Sequence, residues 1–103
     1  MPMFITLGKL TDEGAKNIRS LPQGVKENMG RAERLGMKLH GWYLTQGRFD
    51  IVVIAEAPDA ETVLAQTAAV MGMGNSRTET LRAFTLEEAE RALEKVGAIG
   101  AAR

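Results

Sequence analysis

Residues 51–55 read Ile-Val-Val-Ile-Ala, an unbroken apolar run closed by Pro58-Asp59. A run this short and this rich in β-branched residues is a strand. Successive side chains of a strand point to opposite faces of the sheet. This strand is therefore apolar in front and behind. An antiparallel sheet with one wet face alternates apolar and polar residues, and this one does not. The same message comes from Phe4-Ile5 and from Trp42-Tyr43-Leu44. Any sheet built from these segments needs cover on both sides.

The rest of the chain says how much cover it owns. Residues 3–10 form a first strand. Thr11 with Asp12 and Glu13 follows, a helix start in which an oxygen caps free N–H groups and acids face the positive end. Ser20-Leu21-Pro22-Gln23 has the residues of a capping box. The pattern predicts a short turn over 12–18, a kink, and a helix over 21–35 with the stripe Leu21, Val25, Met29, Ala32, Leu35, closed by Gly36. Strands over 38–45 and 50–57 flank the turn Gln46-Gly47-Arg48-Phe49, where Gly47 supplies a positive φ. A helix over 60–71 follows, capped by Asp59, with Leu64, Ala68 and Met71 along one side. A fourth strand spans 76–84. Thr85-Leu86-Glu87-Glu88 then opens a last helix with the stripe Leu86, Ala89, Leu93, Val96, ending at Gly97.

The order β-α-β-β-α-β plus a final helix predicts an α+β, ferredoxin-like fold: a four-stranded antiparallel sheet with strands one and three central and helices on one face. Residues 1–97 make one domain and 98–103 a flexible tail. Helices then roof only one side of a sheet that is apolar on two. The last helix shields part of the second side at most. A second copy of the chain is the economical cover, so a homodimer or higher oligomer is expected rather than a monomer.

Composition narrows the chemistry. Cysteine is absent and there is one His, so neither a thiolate metal site nor a multi-His site is expected, and no cofactor is implied. Thirteen basic residues balance thirteen acidic ones, scattered along the chain. Nucleic-acid binding, which needs a basic face, is not expected. No signal-peptide pattern and no long apolar segment stands out, so the chain is expected in the cytoplasm and off the membrane.

Two motifs carry a family resemblance. "GWYLTQGRFDIVVIAEAPD", residues 41–59, together with "GNSRTETLRAF", residues 74–84, and the opening "FITLGKLTDEGAKNI" resemble the GYD-domain family. Phe49 stands where that family's namesake tyrosine sits, so the phenol hydroxyl is missing here. The hairpin is also similar to the effector-binding domain of Lrp/AsnC-type regulators. Both resemblances imply a dimeric α/β barrel in which two sheets face each other.

Several polar residues are candidates for a site. His40 is the one side chain whose unperturbed pKa lies near neutrality, either a general base or simply an edge histidine. Asp50 follows the turn aromatic and is either a ligand contact or a turn cap. On strand four, Glu79 and Arg82 are candidates for orienting a ligand, Arg because it holds carboxylates bidentately; salt bridging is the plain alternative. Tyr43 and Thr45 share a face of strand two and are candidates for lining a cavity between sheets. "GMGNSR" follows a helix and precedes a strand, the wrong order for a phosphate cradle. No nucleophile with a nearby base stands out.

Three functions compete. The first is a non-catalytic homo-oligomer that binds a small metabolite at or near the subunit interface through Tyr43, Thr45, Asp50, Glu79 and Arg82. The second is a cofactor-independent monooxygenase or isomerase-like enzyme using His40, Trp42 and Tyr43, favoured by a cavity holding His40 with a carboxylate beside its ring. The third is a purely structural assembly module. The lack of an activated nucleophile tips the balance toward binding.

Overall fold

A computed structural model describes residues 1–100. The elements run β1 (Met3–Leu10), α1 (Asp12–Lys16), a 3-10 turn (Ile18–Ser20), α2 (Leu21–Arg34), β2 (Lys38–Leu44), β3 (Ile51–Glu56), α3 (Ala60–Gly72), β4 (Ser76–Ala83) and α4 (Leu86–Ala98). The sheet order is β2-β3-β1-β4, antiparallel throughout, so the expected ferredoxin-like order with β1 and β3 in the centre is the one found. Among the described residues no helix is long and apolar enough to cross a membrane.

Local chemistry explains most boundaries. Thr11, Asp59 and Thr85 each accept a backbone N–H of the first turn of their helix, and Thr85 with Glu88 closes a full capping box. Gly36 and Gly47 both have positive φ, 84° and 119°, as a helix stop and a tight turn require. Ser20 departs from expectation. It sits in a helical conformation at the end of the 3-10 turn, and its hydroxyl donates to the Asn17 carbonyl instead of capping α2. The 3-10 turn runs straight into α2, so no free start is left there to cap.

The register sorts side chains between the two faces. Phe4, Thr6 and Gly8 of β1 align with Ala55, Val53 and Ile51 of β3, and this face lies under α2 and α3. Phe4, Ala32, Ala55, Ala57 and Val63 are the buried apolar residues. α3 is turned relative to expectation: Val63 faces in, while Leu64 is 66% exposed. Small and apolar residues fall on every side of α3 (AETVLAQTAAVMG), so its periodicity points in no single direction. α4 makes no extended packing with any other element, leaving Leu86, Leu93 and Ile99 exposed. Of the expected tail, residues 101–103 lie outside the described part, and the helix itself continues to Ala98.

Candidate functional site

The face away from α2 and α3 is built from the alternate positions of each strand. Its rows run Tyr43–Val52–Leu7–Glu79, Gly41–Ile54–Ile5–Leu81 and Glu56–Met3–Ala83. The centre is aliphatic and half-buried, while Tyr43 and Leu81 are 54% and 45% exposed. Lys9, Lys38, Arg77, Glu56 and Glu79 surround it with both signs of charge.

A register shift between Leu39 and Gly41 places His40 beside Glu56, Nε2 to Oε2 at 2.6 Å. The hydrogen bond with His40 holds the Glu56 carboxyl below its ordinary value of 4.5, against a smaller opposing effect of burial. The N-terminal amine stands 3.8 Å from the same carboxylate. Glu56 is thus the carboxylate partner that no local pattern could identify for His40. The pair is nevertheless open to water, with the two side chains 39% and 23% exposed.

The other candidates are scattered. Tyr43 lies on the open face with its ring across Gly41, whose missing Cβ leaves the room. Glu79 is on the same face but on the opposite edge strand. Thr45 and Asp50 meet in the hairpin turn. There the Thr45 hydroxyl donates to the Phe49 carbonyl at 2.6 Å, and the Thr45 N–H donates to the Asp50 carbonyl at 2.7 Å. Asp50 also reaches out of its turn: its carboxylate accepts the Leu10 N–H at 2.8 Å and its N–H donates to the Gly8 carbonyl at 2.9 Å. Arg82 is on the helix side, with its guanidinium 4.2 Å from the centre of the Phe84 ring and 5.6 Å from that of Phe4. That guanidinium bonds the carbonyls of Met3 and Ala83 and faces Glu88 at 3.9 Å, which ties the end of β4 to the start of α4. Arg48 stacks on its neighbour Phe49 at 5.6 Å.

A further feature lies between the helices and the sheet. A cavity of about 220 Å³ is floored by Thr6, Gly8, Val53 and Ala55 and walled by Trp42 and by α2 and α3. Its signal was present as residue size. Glycine, alanine and threonine occupy inward positions where a sheet covered by helices normally carries large aliphatics. Asn28 and Gln66 add amides to the wall, joined by a 3.1 Å bond from Gln66 Nε2 to the Asn28 carbonyl.

The chain is 35% identical, over 89 residues, to the "Glutamine synthetase and cystathionine beta-lyase binding protein" of Thermus thermophilus, an alignment that covers 85% of this chain and 94% of the relative. No solved structure matches it. The family model of the GYD domain matches residues 4–93, which include the hairpin, the open face and most of the helices. The chain belongs to the GYD-domain family.

Proposed function

We propose that this protein is a non-catalytic binding module that assembles with copies of itself through its open sheet face. The observation that carries this reading is surface area. The chain exposes 7164 Å². A compact monomer of 11.2 kDa exposes roughly 5,700 Å². The excess, roughly 1,500 Å² per copy, matches what a stable, obligate association hides on each partner. The open face, with Tyr43 and Leu81, and α4, with Leu86 and Leu93, both carry exposed large apolar side chains. An aliphatic centre ringed by both signs of charge is self-complementary, as a two-fold contact requires.

A small metabolite at the interface fits this arrangement through Tyr43 and Glu79. They stand on opposite edge strands, three strand spacings or about 14 Å apart, so both reach one small ligand only where two copies meet. Thr45, Asp50 and Arg82 are occupied by turn and strand-end bonds and play a supporting part in this reading. The relative's name extends the proposal to protein partners: metabolic enzymes of the kind it binds, glutamine synthetase and cystathionine beta-lyase. With such partners, the cytoplasm is the compartment that this reading assigns to the chain.

Analytical ultracentrifugation tests the assembly. The wild type is expected to sediment as a multiple of 11.2 kDa in dilute solution. Leu81→Arg, which puts a charge in the middle row of the face at its β4 edge, is expected to sediment as a single chain. A wild type that sediments as one folded chain overturns the reading. The enzyme reading retains one favourable observation, the His40–Glu56 pair at 2.6 Å. It requires turnover that disappears in His40→Ala, whereas the binding module tolerates that change.

A further inference from the structure

We propose that the cavity between the covered face of the sheet, α2 and α3 is a binding site for a neutral ring compound with one or two hydrogen-bonding groups. This site lies on the opposite side of the sheet from the face assigned to self-association, so each stands or falls without the other.

Three observations carry it. The first is size. An apolar cavity of about 150 Å³ admits benzene. The cavity here, at about 220 Å³, suits a substituted single ring or a small fused ring. The second is charge. Among the described residues no Asp, Glu, Lys, Arg or His lines the cavity, in a chain where 25% of residues are charged. An ionic ligand would lose its hydration and gain no counter-charge, so the site discriminates against it. The third is the pattern of polar groups. Asn28 Oδ1 accepts from Arg31 at 2.7 Å, and Gln66 Nε2 donates to the Asn28 carbonyl at 3.1 Å, which leaves each amide its other atom. Thr6 and Thr78 line the cavity from the sheet side. An apolar enclosure with a few convergent polar groups, beside the flat wall of Trp42, is what a ring carrying a hydroxyl or an amide needs.

Residue choice also keeps the space open. Gly24 lines the cavity from within α2, where glycine weakens a helix, and a Cβ added there meets no atom within 4 Å. A Cβ at this position is sterically free and would strengthen the helix.

The test uses p-cresol and benzamide as neutral probes, with benzoate and benzylamine as charged counterparts of similar size. Binding is followed by the NMR signal of the indole N–H of Trp42, the chain's one tryptophan. The neutral probes are expected to shift that signal saturably, and the charged ones to bind at least tenfold more weakly. Gly24→Phe is expected to abolish saturable binding without lowering the melting temperature, and Gly24→Ala, which leaves most of the volume, to retain it. Equal binding of charged and neutral probes overturns the proposal. So does undiminished binding to a folded Gly24→Phe, or shifts that fall on Tyr43, Ile54 and Leu81 instead of the cavity residues. If Gly24→Phe fails to fold, the comparison of probes on the wild type and on Gly24→Ala decides alone. Loss of self-association in Leu81→Arg with probe binding intact would separate this site from the assembly face.

Discussion

Glu56 shows how one side chain reports on the whole edge of the sheet. Its hydrogen bond with His40 is the largest cause of its lowered pKa. A carboxyl whose pKa falls on folding stabilises the fold above its unfolded value, and that contribution fades as pH drops through the folded value. The window therefore lies below 4.5. Carboxyl NMR titration of the wild type is expected to place Glu56 below that value, and His40→Ala to move it back up. The substituted chain should then lose less stability than the wild type as pH drops below 4.5. A Glu56 midpoint indifferent to His40→Ala would remove the pair from the account. Both residues are visible in the sequence, 16 positions apart, with nothing local to bring them together. A one-residue register shift at Leu39/Gly41 does so, and such shifts depend on how two strands meet. Gly14 makes the same point. It is buried so closely under Asn75 that any Cβ there would collide with that carbonyl, a contact that no local pattern announces.

Elements are legible where a residue acts on its own neighbourhood. The caps at Thr11, Asp59 and Thr85, the glycine at the hairpin turn and the five-residue apolar run of β3 each specify their element through short-range chemistry. Ser20 and the inward side of α3 escape a local reading because each depends on its surroundings: a preceding turn that leaves no free helix start, and a helix whose sides differ little in polarity. α4 is the opposite case, governed by local chemistry and little else. It has 13 residues, close to the length at which an unsupported helix is marginal in water. Removing the cap oxygen with Thr85→Ala should cost about 1 kcal/mol. At concentrations too low for association, the expected result is a loss of helical circular dichroism with little change in the melting of the sheet. Glu88 should titrate closer to 4.5 in this variant, because the Thr85 N–H that lowers its pKa belongs to a start that no longer holds its shape. A lower melting temperature for the whole domain would mean that α4 is packed on it.

The molecule as a whole is too extended for its length. Its radius of gyration is 16.2 Å. A compact chain of the same length has a radius of about 13 Å. Among the described residues, three of the five buried apolar side chains are alanines, and no large side chain is fully buried. Apolar burial is the dominant favourable term in folding, so a core this thin leaves one copy marginal against the entropy of ordering its backbone. The missing burial is available on the open sheet face and along α4, and the proposed association would supply it. Association would then add to the stability of a lone copy that folds but melts lower, and thermal stability would depend on protein concentration. For two copies that unfold as they separate, each tenfold rise in concentration adds about 1.4 kcal/mol to the stability of the pair. Spread over the unfolding entropy of two such chains, this raises the melting temperature by about 3 °C per decade. Calorimetry across two decades of concentration reads this directly. Leu81→Arg should flatten the dependence and melt at or below the lowest wild-type temperature. A wild-type melting temperature that is high and independent of concentration would mean that the thin core suffices alone and that the open face has no structural need of a second copy.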